Sequence, residues 1–132
     1  MPKRFFITGS SSKISVELVK LLPSDTKIYF PSKKELNLED LRNIKKIKKK
    51  IIESDIIILL HSIIIPKTHL KKTLNEKIKQ VKINLLSHLE IIELALKYNK
   101  KARIFVLGSE SAEKGSFDII YALSKTALWQ IE

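Results

Sequence analysis

The chain has 132 residues, of which 44% are hydrophobic, and a formal net charge of +11 from 25 Lys and Arg against 14 Asp and Glu. This length and apolar content predict one globular domain, residues 1–132, large enough to bury a core. Because the chain contains no cysteine, disulfides, thiolate metal sites and cysteine nucleophiles are excluded, and a cytoplasmic location is expected.

Short apolar runs alternate with segments of helical period along the whole chain. The runs rich in Ile, Val, Phe and Tyr predict strands over 5–8, 27–30, 55–60 and 103–107. The helical period predicts four helices, carrying Ile14 to Leu21, Leu41 to Ile51, Ile78 to Leu96, and Tyr121 with Lys125. This βαβα order predicts a doubly wound α/β fold, a parallel sheet with Rossmann-like topology.

The long third helix has an apolar stripe, and the second has a lysine-rich outer face. The stripe consists of Ile78, Val81, Leu85, Leu89, Ile92 and Leu96, with Ile91 and Leu94 partly off it. We interpret the lysines between 45 and 50 as a solvated helix face. Arginine is scarce and no aromatic residues are interleaved with the basic stretches, so we expect no nucleic-acid partner.

The first strand runs directly into a polar turn that opens the first helix. Backbone N–H groups and the helix dipole at such a turn can hold a pyrophosphate. The candidate residues are Thr8, Gly9, Ser11, Ser12, Lys13 and Ile14.

No helix is predicted between the second strand and residue 40. Lys33 follows that strand, where a cation accommodates a ribose 2′-phosphate and an acidic residue would favour NAD. The sequence therefore favours NADP as the cofactor, with NAD as the alternative.

The last helix carries a pair of residues suited to proton transfer. Tyr121 and Lys125 are four apart and share one helix face, where the cation favours the phenolate and lowers the tyrosine pKa. Ser109 closes the apolar run over 103–107, and Asn84 lies on the long helix. Each has a structural alternative: Ser109 as a turn hydroxyl, Asn84 as a polar residue of a bent helix, and Tyr121 as an interface aromatic.

Together these residues resemble the short-chain dehydrogenase/reductase superfamily. The first turn of that superfamily reads Thr-Gly-x-x-x-Gly-x-Gly. In this chain Lys13 and Ser15 occupy the second and third glycine positions. These larger residues put in question the close approach of the backbone to the pyrophosphate and the tight packing of the first helix. The region after the second strand is similar to the NADP-dependent sugar-nucleotide reductases of that superfamily. In that comparison Lys33 matches the basic residue and Asn37 an aspartate near adenine.

The resemblance implies a role for each catalytic candidate. Tyr121 would be the general acid/base, Lys125 would bind the nicotinamide ribose, Ser109 would polarise a substrate carbonyl and Asn84 would hold a relay water. Ser111 is the alternative to Ser109. The resemblance also implies a carbonyl or alcohol substrate, with a sugar nucleotide as one candidate, and a homo-oligomer formed through the helices of Asn84 and Tyr121.

Two departures from the family affect the expected site. Leu59-Leu60-His61-Ser62 replaces the family's Asn-Asn-Ala-Gly, so His61 is expected to line the cofactor cleft or to be a satisfied core histidine. The resemblance covers the whole chain but only the N-terminal part of the family fold, which continues past the helix of Tyr121. We therefore expect an exposed edge strand and an exposed apolar face made of Ala122, Leu128, Trp129 and Ile131.

Three functions remain open at this stage. The first is an NADP(H)-dependent oxidoreductase, and the second is a non-catalytic dinucleotide-binding or interaction module. The third, nucleic-acid binding, rests on charge alone. The most apolar stretch, 56–65, is too short to cross a bilayer, so no membrane segment is expected. His69 and His88 are scattered with no carboxylate at ligand spacing, so no metal site is expected.

Overall fold

A computed structural model describes residues 1–131 and contains a four-stranded, fully parallel sheet. The strands are β1 (Arg4–Ile7), β2 (Lys27–Tyr29), β3 (Ile56–Leu59) and β4 (Arg103–Val106). Their order across the sheet is β2-β1-β3-β4. The chain moves outward from β1 to β2 and then crosses back to β3, so its direction reverses between β1 and β3. This is the predicted doubly wound, Rossmann-like topology, and the cleft of such a sheet lies at that reversal.

Helices connect the strands on both sides of the sheet. The α-helices are α1 (Lys13–Leu21), α2 (Lys48–Ile52), α3 (Leu74–Val81), α4 (Ser87–Tyr98), α5 (Ser111–Lys114) and α6 (Ile119–Trp129). A 3₁₀ helix over Leu41–Ile47 leads into α2, a second covers His69–Lys71, and a π-helical turn over Lys82–Leu86 joins α3 to α4. Within residues 1–131, every helix is too short or too polar to cross a lipid bilayer.

The main core lies on one face of the sheet. Phe6, Ile57 and Leu59 point from the strands into it and are 0% exposed. The 3₁₀ helix with α2, together with α4, covers this face. These helices contribute Ile44, Ile47, Ile51, Ile91, Ile92 and Ala95. Each fully buried Ile, Leu or Phe side chain stabilises the fold by about 1.5–3 kcal/mol through apolar burial.

The opposite face is covered less completely toward β4. Right-handed crossovers place α1 on this face, since the connections from β1 to β2 and from β2 to β3 run in opposite directions. Ile7, on β1, is fully buried, whereas Phe105, on β4, is 53% exposed. Within the described sheet β4 has one neighbour, β3, so it is an edge strand, as expected.

The expected exposure of the α6 apolar face is only half correct. Trp129 and Ile131 are exposed, but Ala122 and Leu128 are buried, at 8% and 5%. These two positions face inward because α6 packs against α3 and the π-helical turn. The prediction for these two residues was therefore wrong.

The predicted apolar stripe of the long helix is also wrong in part. Ile78 and Leu96 are exposed, whereas the buried face includes Gln80, Asn84 and His88. There are two physical reasons. The π-helical turn changes the rotational phase of the helix, and this helix buries polar side chains that hydropathy assigns to solvent.

Candidate functional site

A cleft of about 320 Å³ opens at the carboxyl ends of β1 and β3. Its walls come from the turn after β1, the segment after β2, the segment after β3, the π-helical turn, the end of β4 and α6. The lining residues are Thr8, Gly9, Ser10, Ser11, Ser12, Ile14, Pro31, Lys33, Leu36, Asn37, Leu38, Leu60, His61, Ser62, Ile63, Ile83, Leu107 and Tyr121. The cleft therefore includes the predicted cofactor residues apart from Lys13 and Lys125.

Gly9 allows the turns after β1 and β3 to touch. Its φ is +84°, in the region that favours glycine, and a Cβ there would lie 2.9 Å from the Leu60 carbonyl carbon. The next turn begins α1, where the Ser12 side chain caps the helix by accepting the Ser15 N–H at 3.1 Å. The amino end of α1 therefore opens onto the cleft beside Gly9.

Ser15 closes the turn at the position where the family has its third glycine. Its side chain is fully buried, and its hydroxyl lies within hydrogen-bonding reach of the Gly9 carbonyl and of the Ser12 carbonyl, the latter at 2.9 Å. The concern that a larger residue would prevent tight packing of α1 is therefore not supported. Lys13, at the second glycine position, is exposed and lies outside the cleft lining.

His61 is both a cleft residue and a satisfied core histidine. The Ser87 hydroxyl donates to the Ile83 carbonyl at 2.8 Å, so it accepts from His61 Nε2 at 2.7 Å. The Leu60 N–H donates to Thr8 Oγ1 at 3.1 Å, and the Thr8 hydroxyl in turn donates to His61 Nδ1 at 2.6 Å. This assignment satisfies every group with the neutral Nε2–H form of the ring.

His88 stacks on His61 with its ring nitrogens unsatisfied. The two ring centroids are 3.8 Å apart, and neither nitrogen of the buried His88 has a hydrogen-bond partner among the described residues. Burial lowers the pKa of His88 to about 3, and the nearby Lys125 charge acts in the same direction. Burial, with the charges of His88 and Lys125, also lowers the pKa of His61 well below its ordinary value.

Asn84 lies in the π-helical turn and fixes the segment that follows β3. Its Oδ1 accepts the Ile63 N–H at 2.7 Å, and its Nδ2 donates to the Ile63 carbonyl at 2.8 Å. The side chain is fully buried. Asn84 therefore acts on the cleft through Ile63, which lines it. Single-turn π bulges of this kind occur frequently at functional sites.

Tyr121 and Lys125 share one face of α6, as their spacing predicts. Tyr121 lines the cleft, and Lys125 Nζ lies 5.7 Å from the centroid of its ring. Lys125 is 1% exposed and donates to the Leu107 carbonyl at 2.9 Å. Burial lowers the pKa of its ammonium group.

Ser109 follows β4 but does not line the cleft. Its Oγ accepts the Ser111 N–H at 3.2 Å, which agrees with the reading of Ser109 as a turn hydroxyl. Ser111, the alternative, begins α5. Thus Tyr121 is the catalytic candidate that lines the cleft, whereas Ser109, Lys125 and Asn84 lie outside its lining.

The far end of the cleft carries Lys33 and Asn37. The Lys33 side chain is 76% exposed, and its Nζ lies 4.0 Å from Glu39 Oε1. The same carboxylate pairs with Lys79 at 2.6 Å, and this contact, aided by Lys33, holds the pKa of Glu39 below its usual value despite some burial. Asn37 Oδ1 accepts the Glu39 N–H at 3.0 Å.

Sequence reasoning missed a buried polar cluster beside Tyr121. It consists of Lys72, Gln80 and Asp118, and Asp118 is the N-cap of α6. One signal was available, since Asp three residues before Tyr121 is typical of a helix N-cap. Nothing in the sequence marks Lys72 as buried, because lysines at exposed positions are common in this chain.

The described residues contain no cluster of three or more His, Asp or Glu side chains arranged to hold a metal ion. Among the candidates considered, His61 is fully engaged by Thr8 and Ser87.

Comparison with known proteins shows the fold. No protein-family model and no curated protein sequence matches this chain. A short-chain dehydrogenase family protein from Francisella tularensis superposes with a TM-score of 0.82 at 19% identity, over 99% of this chain and 61% of that one. A small-chain dehydrogenase in complex with NADPH gives 0.82 at 15% identity, over 97% and 61%. A dTDP-4-dehydrorhamnose reductase from Bacillus anthracis in complex with NADP gives 0.76 at 21%, over 98% and 49%.

These structures share the fold of the chain and extend beyond it. The chain spans 61% of the Francisella protein and 49% of the reductase. The predicted resemblance to the Rossmann portion of short-chain dehydrogenases is therefore confirmed for the fold. The similarity to a sugar-nucleotide reductase, expected from the compact segment after β2, is also present.

Proposed function

We propose that the chain is the dinucleotide-binding portion of an NADP(H)-dependent oxidoreductase of the short-chain dehydrogenase/reductase type. Such an enzyme transfers a hydride between the nicotinamide and a carbonyl or alcohol substrate. One observation carries the proposal: a single cleft brings together the turn after β1, Lys33 with Asn37, and Tyr121. The dehydrogenase and reductase structures that share the fold support it, including one with NADPH and one with NADP.

The cleft residues fit the parts of a dinucleotide. Ser10, Ser11 and Ser12 surround the amino end of α1, where N–H groups and the helix dipole suit a pyrophosphate. Lys33 would pair with a ribose 2′-phosphate, and Asn37 would lie near the adenine. When bound, the nicotinamide supplies or accepts the hydride.

Tyr121 would transfer the proton that accompanies the hydride. In the reducing direction its phenol O–H donates to the substrate carbonyl oxygen, which becomes the alcohol. Lys125 lies 5.7 Å from the ring centroid on the same helix face, where its positive charge favours the phenolate left behind. Its contact with the Leu107 carbonyl anchors the ammonium group beside the ring.

Ser109 and Asn84 would assist from outside the cleft lining. Ser109 is assigned the binding of a carbonyl oxygen by the resemblance alone, since its side chain lies outside the cleft lining and its Oγ accepts the Ser111 N–H. Asn84 binds both the N–H and the carbonyl of Ile63. By fixing this wall of the cleft, it would place a relay water. Ser111 remains the alternative to Ser109.

The substrate class is a carbonyl or alcohol compound, with a sugar nucleotide as a candidate because of the compact segment after β2. We also propose that the active form is a homo-oligomer. The outward residues Leu123 and Ile119 of α6, at 63% and 46% exposure, suit such an interface.

The first experiment is a titration of the purified chain with NADPH and NADH, followed by nicotinamide fluorescence and thermal stability. A ligand that binds only the folded state raises its stability. We expect tighter binding of NADPH, and we expect Lys33→Ala to remove most of that preference. Lys34→Ala is the matched control because Lys34 is exposed and lies outside the cleft lining. Absence of binding by both nucleotides would overturn the proposal.

A second experiment tests the role of Tyr121. NADPH oxidation is followed with a panel of aldehydes, ketones and keto sugar nucleotides. We expect Tyr121→Phe to lower turnover by about 10²–10⁴-fold while NADPH still binds. Tyr98→Phe serves as the control because Tyr98 is exposed and outside the cleft lining. Full activity of the Tyr121→Phe protein would eliminate this residue as the acid.

A non-catalytic dinucleotide-binding module is the second candidate function. The observation that favours it is that Ser109 and Lys125 lie outside the lining of the cleft that contains Tyr121. This function predicts NADPH binding with no turnover of any carbonyl in the panel. NADPH oxidation abolished by Tyr121→Phe would exclude it.

A further inference from the structure

A buried ionic cluster lies between the segment after β3, helix α3 and the start of α6. Lys72 Nζ lies 2.7 Å from Asp118 Oδ1, and both side chains are 0% exposed. Lys72 Nζ also donates to Gln80 Oε1 at 2.9 Å, and Gln80 Nε2 donates to Asp118 Oδ2 at 2.6 Å. The three side chains thus form a closed ring of hydrogen bonds, with one residue from each element.

The ring continues to both walls of the cleft. Asp118 Oδ1 accepts the Tyr121 N–H at 3.1 Å, as the N-cap of α6. On the other side, Gln80 Nε2 lies 3.5 Å from the Ile63 carbonyl, which also accepts from Asn84 Nδ2. Ile63 and Tyr121 both line the cleft. A continuous set of contacts therefore joins the backbone of one wall to that of the other.

Stability alone explains this cluster poorly. Removing two charges from water costs several kcal/mol per ion, and well-packed apolar residues in place of a buried ion pair are often neutral or stabilising. Burial alone would raise the pKa of Asp118, but hydrogen bonds from Lys72, Gln80 and the Tyr121 N–H outweigh it and lower that pKa. The charged form of Asp118 is therefore favoured, which keeps the cap of α6 in a single arrangement.

We propose that Lys72, Gln80 and Asp118 are positioning residues that hold the first turn of α6 and set the location of Tyr121 against the Ile63 wall. The inference rests on the proposed function of Tyr121 as the proton donor. None of the three lines the cleft, so they act through the backbone of Tyr121 and Ile63. Lys72 and Gln80 hold the carboxylate that caps α6, and this carboxylate holds the backbone of Tyr121.

The test compares Lys72→Met with the double variant Lys72→Met/Asp118→Asn. The single variant leaves a buried carboxylate without its cation, whereas the double variant is neutral and retains a side-chain oxygen that can cap α6. Lys71→Met is the matched control, since the neighbouring Lys71 is exposed. The double variant also keeps the experiment decisive should Lys72→Met fail to fold.

Amide hydrogen exchange of the protein without nucleotide is measured first. We expect the Tyr121 amide to exchange about tenfold faster in Lys72→Met, with amides in β1 and β3 little changed, and to recover in the double variant. A uniform loss of protection across the chain, or unchanged exchange at Tyr121, would show that the cluster does not position this residue. If Lys72→Met does not fold, the double variant is compared with Lys72→Met/Asp118→Ala, which is equally neutral but lacks the oxygen that accepts the Tyr121 N–H. Faster exchange at Tyr121 in the alanine variant alone supports the proposal, and equal exchange in the two refutes it.

Turnover and nucleotide affinity are then measured in the same variants. We expect Lys72→Met to lower NADPH-linked turnover by about tenfold while the Kd for NADPH stays within about threefold, because Tyr121 shifts and the phosphate site does not. An equal loss of both would assign the cluster a general structural role. If the wild-type protein shows no turnover, the proposed function fails, while the exchange measurement still decides whether the cluster holds Tyr121.

Discussion

Two buried histidines show how individual residues support the cleft. Hydrogen bonds with Thr8, in the turn after β1, and with Ser87, on α4, hold His61 in one neutral form. The ring of His88 stacks on the ring of His61. Protonation of either ring would place a charge in the core beside Lys125, so burial lowers both pKa values. The neutral pair is therefore part of the folded state at neutral pH.

The histidine pair makes stability depend on pH. An unfolded histidine titrates near pH 6.5, whereas His88 has a pKa of about 3 when folded, so the unfolded state binds more protons in between. The contribution is fully present above the unfolded pKa and is lost as pH falls toward the folded one. We expect His88 to lower the free energy of unfolding by about 2 kcal/mol from pH 7 to pH 5. His61, whose pKa is lowered as well, acts in the same direction. Urea unfolding at several pH values measures this loss.

His88→Phe separates the two contributions. The ring nitrogens of His88 have no partners among the described residues, so phenylalanine keeps the stacked ring without losing a hydrogen bond. We expect about 2 kcal/mol of the loss between pH 7 and pH 5 to disappear in this variant. The same pH dependence in the variant and the wild type would contradict the assignment of His88 as neutral when folded.

At the scale of elements, the turn from β1 to α1 is the tightest junction of the cleft. Gly9 approaches the backbone of Leu60 and His61, and those atoms cannot move unless β1 and β3 separate. We expect Gly9→Ala to cost about 2–4 kcal/mol, from backbone strain plus overlap, and to weaken NADPH binding. Thermal or urea unfolding measures the stability change.

Gly115→Ala is the control for that substitution. Gly115 has a similar φ of +80°, but a Cβ there would meet nothing within 4 Å. We therefore expect it to show backbone strain alone, a smaller loss of about 1–3 kcal/mol, with unchanged NADPH affinity. Equal losses in the two variants would mean that the contact with Leu60 has no energetic effect.

Much of the order of strands and helices could be predicted from the sequence, because the spacing of apolar residues differs between strands and amphipathic helices. The run from Phe5 to Thr8 contains most of β1, and the face of Ile44, Ile47 and Ile51 is buried as the spacing indicates. The 3₁₀ form of Leu41–Ile47 was not predictable, since its apolar spacing also suits an α-helix. Helices that bury polar residues escape a hydropathy reading, as Gln80 and Asn84 show.

The site was predicted best where chemistry and position coincide. The turn after β1 follows the end of a strand, and Tyr121 lies on the helix that packs beside the strand ends. Both line the cleft. Ser109 follows a strand end as well, yet its side chain is engaged in its own turn. Contacts that depend on distant pairs, such as Lys72 with Asp118, leave no local pattern in the sequence.

At the scale of the whole molecule, α6 and the adjacent α3 carry several exposed apolar side chains. Leu123 is 63% exposed and Ile119 46%, and Ile78 on the adjacent α3 is 43% exposed. The edge strand β4 presents a second apolar surface at Phe105. Where exposed apolar side chains join into a patch of several hundred Å², they mark association sites, and the pair of helices offers the larger number of such side chains.

Two lysine substitutions distinguish the surfaces. We expect the chain to self-associate, and we expect Leu123→Lys to weaken association by about tenfold or more, because it places a charge in an apolar interface. If the chain associates through the exposed face of α6, Phe105→Lys on β4 should leave association nearly unchanged. Sedimentation velocity over a range of concentrations measures both. The reverse pattern would assign association to the edge of the sheet.

The π-helical turn at Lys82–Leu86 gives the long helix two rotational settings, one on each side of Asn84. If the same residues formed a regular α-helix instead, the downstream half would be rotated by about 100° relative to the upstream half. Ser87 and His88 would then leave His61, although no residue contacting it had been substituted. The wide turn is therefore itself a condition for assembling the cleft, because it sets the phase of the residues that contact His61.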